Sequence, residues 1–348
     1  MKVVPYIIII IMIAVGGSLY MKLTEIKKPL LADVVLNQQA ENTDAPQVLN
    51  PRELFVNNGL APEFTGATSW LNGEPQTLIA LRGQVTLVHF WAYSSISSIR
   101  NLSHVNSWLK KYEDRGFKVV GIHTPQFNFE KVPTNIESAI KRYAIPYPIA
   151  LDNNYKTWNA YHNQFWPAIY LIDKDGNIVY TQYGEGNYDR TEKAIRTLVG
   201  IEGSFNIPTA PQASFSQTPD INFGLVKLNN FGGAEKPIPF PQIYVFPSKL
   251  AKNKFALEGN WVFNQESALH TKGYARIKLN FTASKVFIVG QSVNPVTLKV
   301  YVDGRLEKGV VIKDSDLYQL YDSDAEANHT MEIEIQQDGF EAFAFTFE

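Results

Sequence analysis

The sequence predicts an α/β sandwich with a mixed sheet, followed by an all-β sandwich of jelly-roll type. Three observations carry that expectation. From about residue 59 to 200, short apolar and β-branched runs alternate with stretches of helical periodicity. Beyond about residue 217 the pattern becomes many short runs separated by Gly, Asn and Asp, with no helix longer than a turn expected. The 348 residues exceed one ordinary domain of roughly 150 residues and fit two with additional chain.

In the first unit, Val85–Trp91 (VTLVHFW) reads as a buried strand. Ser94-Ser95 opens a helix in which Ile99, Leu102, Val105 and Leu109 recur at three- and four-residue spacing, and Gly116 ends it. Phe117–Ile122 is a second strand, Asn135 to Tyr143 a helix and Tyr147–Leu151 a third strand. Trp158 lies in a short helix. Ala168–Ile172 and Ile178–Gln182 form a hairpin across the Asp175-Gly176 turn. Asp189 to Val199 closes the unit as a helix.

In the second unit the expected strands are Ile243–Phe246, Phe255–Leu257, Asn260–Phe263, Tyr274–Phe281, Lys285–Gly290, Val296–Val302, Val310–Lys313, Asp316–Leu320, His329–Ile335 and Ala342–Phe347. Ala275 to Phe281 shows the alternation of a half-buried strand most clearly.

Residues Val3 to Met21 carry no charge and include five consecutive isoleucines, Ile7 to Ile11; Lys2 precedes the run and Lys22, Lys27 and Lys28 follow it. About 20 apolar residues span a bilayer as a helix. A signal peptide fits as well, with Ala14, Gly16, Gly17 and Ser18 near a cleavage point. The run continues through Leu19, Tyr20 and Met21, which favours an anchor. Residues 1–21 are thus expected to anchor or export the chain, 22–58 to be a linker, 59–200 the first domain, 201–216 a second linker and 217–348 the β-sandwich. The folded part is expected outside the cytoplasm, in the periplasm or cell envelope, anchored to the inner membrane or secreted.

Hydrophobic residues make up 45% and charged residues 19%, a globular composition. Lys+Arg 32 against Asp+Glu 34 leaves net −2, without the basic footprint of a nucleic-acid partner. The chain has no cysteine, which removes disulfides, thiolate catalysis, iron–sulfur clusters and the common structural zinc sites. His104, His123 and His162 stand apart, without metal-ligand spacing, so neither metal nor cofactor is expected.

Certain residues resemble a known family. Ala61-Pro62-Glu63-Phe64, Leu81-Arg82-Gly83-Gln84-Val85, His89-Phe90-Trp91-Ala92-Tyr93-Ser94, Gly121-Ile122-His123-Thr124-Pro125, Trp166-Pro167-Ala168 and Gly184-Glu185-Gly186 are similar in order and spacing to the membrane-linked thioredoxin-like proteins of the DipZ/TlpA type. The resemblance spans about residues 59 to 200. It implies a thioredoxin fold, thiol–disulfide exchange in the envelope, and Pro167 as the loop proline that is cis in this family. Leu257 to Trp261, Val302-Asp303-Gly304, Leu317 to Leu320 and Glu341 to Phe347 resemble the C-terminal module of DipZ-like proteins, which looks like a carbohydrate-binding domain. The resemblance therefore implies a glycan at the β-module; Trp261, Tyr301 or Tyr318 would stack on a pyranose, although packing is the commoner role of such rings.

Where the family carries Cys-x-x-Cys, this chain reads Ser95-Ile96-Ser97-Ser98. A thiolate at a helix N-terminus is stabilised by backbone N–H groups and the helix dipole, attacks a disulfide, and is resolved by the second thiol. A serine hydroxyl stays protonated and forms no S–S bond. The pair is either engineered from cysteine, which would leave an oxidoreductase as the native protein, or naturally lost. Two further departures argue for natural loss: His89 where the family has a carboxylate, and Ser103 where it often has proline. The expected function is then a binding protein. An envelope protein or peptide would lie in the groove walled by Trp91, Tyr93, Ser95, Ile96, Trp166 and Pro167 through main-chain hydrogen bonds, which need no cysteine. A remoter alternative is a Ser–His hydrolase using His89 and Ser98, for which neither a G-x-S-x-G elbow nor an orienting carboxylate is evident.

Overall fold

The computed structural model describes residues 55–201 and 216–348. In the first unit, six strands form one mixed sheet: β1 (Ser69–Leu71), β2 (Val85–Trp91), β3 (Phe117–His123), β4 (Ile149–Leu151), β5 (Ala168–Ile172) and β6 (Ile178–Tyr183). Their order is β1-β4-β3-β2-β5-β6. Neighbours β2, β3 and β4 run parallel, while β1, β5 and β6 pair antiparallel. The central strands β2 and β5 are buried along their whole length, so their sequences are mostly apolar, with Thr86 and His89 the polar residues of β2.

Helices α1 (Ile96–Tyr112), α2 (Pro133–Arg142), α3 (Lys156–Ala160) and α4 (Tyr188–Leu198) cover the sheet. One core joins Leu87 and Trp91 to Leu102 and Val105 of α1, Ile136 and Ile140 of α2 and Ala194 and Ile195 of α4. The opposite face joins Val88, Phe90, Val120 and Ile122 to Trp158 of α3. This is the thioredoxin-like α/β sandwich expected from the sequence.

Two boundaries differ from expectation. β1 was not foreseen, because three half-exposed residues show no period. Residues 55–58, expected as linker, belong to the fold: the Val56 and Asn58 amides donate to Val179 and Ile178, and Phe55 packs on the core. The expected anchor at 1–21 lies outside the described residues, as do most of the two linkers. Among the described residues no helix is long and apolar enough to cross a membrane.

The second unit is an all-antiparallel sandwich rather than a closed barrel. Its strands are β7 (Ile221–Asn222), β8 (Gln242–Tyr244), β9 (Phe255–Phe263), β10 (Ala268–Ser292), β11 (Val296–Val302), β12 (Arg305–Ile312), β13 (Asp316–Ile335) and β14 (Phe340–Phe347). The 25-residue β10 and 20-residue β13 run through both layers. In one layer Ala275–Ala283 pairs with Ala327–Ile335, flanked by β9 and β11. In the other, Val286–Ser292 of β10 lies between β14 and Asp316–Tyr321 of β13.

The sequence pattern marks two strands within each of β9, β10 and β13, where the structure has one. The physical reason is local. Register shifts at Ala283/Lys285 bend β10 and β13 and break their alternation. In β9, Gly259 sits at φ +99, where a Cβ would come within 2.7 Å of the Tyr274 carbonyl. A glycine there reads as a break but serves a close strand approach.

Candidate functional site

The site lies where β2 ends and β5 begins. Phe90 pairs with Ala168, so the Ala92–Ser95 loop and the Trp166–Pro167 loop leave the sheet at the same edge. The Trp166–Pro167 peptide bond is cis. Thr124, just beyond β3, ties both loops together: its amide donates to the Trp91 carbonyl at 3.1 Å, and its carbonyl accepts from Trp166 Nε1 at 2.8 Å. Trp166 also packs on Trp158, ring centroids 4.1 Å apart.

Ser95 is the N-cap of α1. Its Oγ accepts from the Ser98 amide at 3.3 Å, satisfying one of the free donors of the first turn. Ser98 is fully buried, and its Oγ accepts from the Ala92 amide at 3.4 Å. Both hydroxyls are therefore bound into the turn that starts the helix. Ser94, equally a cap candidate by sequence, takes another role. Its amide and hydroxyl donate to Glu130 Oε1 at 3.0 and 2.8 Å.

Glu130 is the residue that sequence reasoning missed. It lies in the short helix Asn128–Lys131 with its side chain fully buried, and its other oxygen accepts from the amides of Gln126 and Phe127. Burial pushes its carboxyl up, and the Ser94, Gln126 and Phe127 donors pull it back. A lone Glu in FNFEK carries no pattern that betrays burial; only the meeting of two loops reveals it.

His89 and Ser98 do not form a catalytic pair. His89 Nδ1 faces Tyr147 Oη at 3.4 Å, and Ser98 Oγ faces backbone. Burial lowers the His89 pKa to about 3, leaving it neutral. His123, on the neighbouring strand, is lowered to about 3 for the same reason. His104 stacks on Tyr188 with centroids 3.6 Å apart. Ser103, on the exposed side of α1, donates to the Arg100 carbonyl at 3.0 Å.

The expected groove walls divide into two sets. Ile96 and Trp166 remain half-buried, and Pro167, next to Trp166 in the chain, is buried. Phe165 and Tyr183 extend this side, 44% and 48% exposed with ring centroids 5.2 Å apart. Trp91 and Tyr93 are not walls. Trp91 is fully buried beneath α1, because alternation on β2 aims it into the same core as Leu87. Tyr93 is 1% exposed: its ring lies between His123 and Phe129, and its Oη donates to the Ser315 carbonyl of the β-domain at 3.0 Å.

That contact is one of several between the two units. Phe343 packs edge-on against Phe127 and Phe129. Arg142 pairs with Asp316, and the Asn128 amide donates to Glu266 at 2.8 Å. Arg100 on α1 binds Glu185 of the β6–α4 loop and Glu348 after β14.

In the β-domain, Trp261 is fully buried, its Nε1 donating to the Glu258 carbonyl at 2.9 Å, so it offers no ring to a sugar. Tyr318 is held by the amides of Lys313 and Asp314. Tyr301 is half-buried, with its hydroxyl on Glu334 at 3.3 Å. Among the described residues no group of three or more His, Asp or Glu is arranged to hold a metal.

Comparison with known proteins agrees with this architecture. Residues 56–199 match the Redoxin family, and residues 218–347 match the family described as thioredoxin like C-terminal domain. The chain is 36% identical over 342 residues to Protein DipZ of Mycobacterium tuberculosis and of Mycobacterium bovis, covering 93% of this chain. It spans about half of those relatives, 48% of their length. It is 30% identical over 138 residues to the thiol-disulfide oxidoreductase YkuV of Bacillus subtilis, 40% of this chain and 93% of that protein. A solution structure of a thioredoxin-like protein in the oxidized form is 31% identical over 40% of this chain and 94% of that one, with a TM-score of 0.38. The chain belongs to the redoxin family of thioredoxin-like thiol–disulfide oxidoreductases, in the DipZ-like arrangement that adds a C-terminal β-domain.

Proposed function

We propose that this protein is a redox-inactive member of its family that holds an extended protein segment in the cell envelope. One observation carries the reading: Ser95 and Ser98 occupy the start of α1, where the family resemblance places the cysteine pair, and the chain has no cysteine anywhere to supply a thiolate. Neither hydroxyl can form or receive a disulfide. What remains is the recognition surface. Ile96, Trp166, Phe165 and Tyr183 offer apolar area beside the Pro167 loop, and aromatic anchors of this kind dominate binding energy at protein interfaces. Export and anchoring through residues 1–21 complete the proposal and rest on the apolar run alone.

The test uses a fluorescein-labelled, cysteine-blocked insulin B chain as the extended segment. Anisotropy should report binding, and Trp166→Ala should weaken it by about tenfold or more, as a lost hot-spot ring does. Equal binding by wild type and Trp166→Ala would refute the groove reading. Cleavage of the N-terminal segment is read directly from the mass of the protein recovered from membranes.

A glycan would lie on the solvent-facing layer of the β-domain. There Tyr274, 49% exposed, and Tyr301 both reach Glu334, beside the ladder Glu258–Arg276–Glu332–Lys278. Rings flanking polar groups suit a pyranose chain. Calorimetry with neutral oligosaccharides and soluble peptidoglycan fragments tests it; heats unchanged in Tyr274→Ala/Tyr301→Ala would remove it.

A further inference from the structure

The loop that carries Ser95 is held from two directions. From the thioredoxin unit, Glu130 binds the Ser94 amide and hydroxyl. From the β-domain, the Ser315 carbonyl accepts the Tyr93 hydroxyl. Three successive residues, Ser315 just before β13 and Asp316 and Leu317 at its start, make this contact. Ser315 takes Tyr93, Asp316 pairs with Arg142 of α2, and Leu317 packs on the hydrophobic cluster that residues of both domains share. The Ser315 hydroxyl in turn donates to Gln291 at 2.6 Å, and Gln291 donates to Glu341 at 2.6 Å. The carbonyl that receives Tyr93 is therefore fixed inside the β-domain rather than on a loose turn. On its other side the Tyr93 ring stacks on the buried His123, with centroids 5.8 Å apart and planes 22° apart.

We propose that Tyr93 is a positioning residue through which the β-domain sets the conformation of the Ala92–Ser95 loop and the start of α1. The β-domain is then a working part of the thioredoxin site and not an appended module. The inference is independent of what the groove binds. The physical reason is the asymmetry of a buried hydrogen bond. The Tyr93 phenol has no water to turn to at 1% exposure, and burial of the ring holds its pKa above the usual phenol range, so it stays a donor. Moving the loop outward would leave both the phenol and the Ser315 carbonyl unpaired.

The experiment uses the full chain. Hydrogen exchange of the Ser94–Ser98 amides is compared between wild type, Tyr93→Phe and Arg142→Ala. Arg142→Ala breaks the neighbouring ion pair to Asp316 but keeps both partners of the Tyr93–Ser315 hydrogen bond. Tyr93→Phe should accelerate exchange at these amides by about tenfold, the usual effect of one lost buried hydrogen bond. Arg142→Ala should lower the melting temperature with loop exchange unchanged. A second readout separates positioning from mere packing. In the background Ser95→Cys/Ser98→Cys, the pH profile of alkylation at position 95 should shift when Tyr93→Phe is added, and should not shift with Arg142→Ala. Unchanged loop exchange in Tyr93→Phe, or an equal response to both substitutions, would overturn the proposal. If the Tyr93→Phe chain does not fold, Gln291→Leu releases Ser315 from within the β-domain alone; it must then accelerate loop exchange, and failure to do so has the same force.

Discussion

Replacing Glu130 by alanine is expected to be among the most damaging single changes in the thioredoxin unit. The side chain is fully buried and accepts four hydrogen bonds: from the amides of Ser94, Gln126 and Phe127 and from the Ser94 hydroxyl. A buried donor left without an acceptor costs about 1–3 kcal/mol. The Ser94 hydroxyl can rotate away, but the three amides cannot. Three such groups would lose about 3–9 kcal/mol if nothing relaxed. Two effects reduce this sum. The substitution removes the cost of burying a carboxylate, which already pushes the Glu130 pKa up. Water also enters the space vacated. We expect a net loss of about 3–5 kcal/mol, comparable to removing one member of a buried charged network. Glu130→Gln keeps one carbonyl oxygen and the volume, but turns an amide group toward the donors; it should cost about 1–2 kcal/mol. Urea unfolding of wild type and both variants at constant pH gives these differences, provided the slopes agree. A Glu130→Ala loss below 1 kcal/mol would refute the reasoning. Equal losses for Gln and Ala would show that charge, not the number of acceptors, decides.

Other outcomes follow from the same geometry. His89 and His123 are buried and neutral, with folded pKa values of about 3 against 6.5 unfolded. The unfolded chain then binds more protons below pH 6.5, so stability is full above that pH and falls on acidification, by up to about 2 kcal/mol per histidine at pH 5. The raised carboxyls of Glu130, Asp152 and Asp316 act in the opposite sense, so the measurement is the difference profile between wild type and His123→Phe. A flat difference between pH 7 and 5 would contradict it. Arg100→Ala should cost about 2–3 kcal/mol, because it leaves Glu185 and Glu348, 7% and 14% exposed, without their shared partner; a cost under 0.5 kcal/mol in chemical denaturation argues against that clasp. Trp261→Ala should cost about 3–5 kcal/mol, as for other fully buried tryptophans, and a small change would mean its cavity collapses readily. The chain should reduce insulin no faster than buffer. Ser95→Cys/Ser98→Cys should restore only weak turnover, since His89 stands where the family resemblance places a carboxylate; robust turnover would show that His89 suffices.

The order of the thioredoxin elements was legible because local chemistry dictates it. Val85–Trp91 and Ala168–Ile172 are central strands buried on both faces, so predominantly apolar runs mark them. Ser95 and Gly116 bracket α1 and its terminal turn by capping alone, the first through its hydroxyl and the second through a left-handed backbone at φ +76. The serine pair at positions 95 and 98 was equally plain, because it is a matter of residue identity. The long β-domain strands were not legible as single elements. Bends at Ala283/Lys285 and the glycine at 259 break the alternation that periodicity detects, although hydrogen bonding continues through them. Which side chains form the site was decided by tertiary structure. Trp91 and Tyr93 belong to an aromatic-rich motif that reads as a binding wall, but burial is a property of what packs on a residue. The sheet alternation buries Trp91; Tyr93 is enclosed by His123, Phe129 and, more than two hundred residues along the chain, Ser315 of the β-domain. Glu130 shows the same limit from the other side: Gln126 and Phe127 bind it within its own turn, but Ser94 reaches it only when two separate loops fold together.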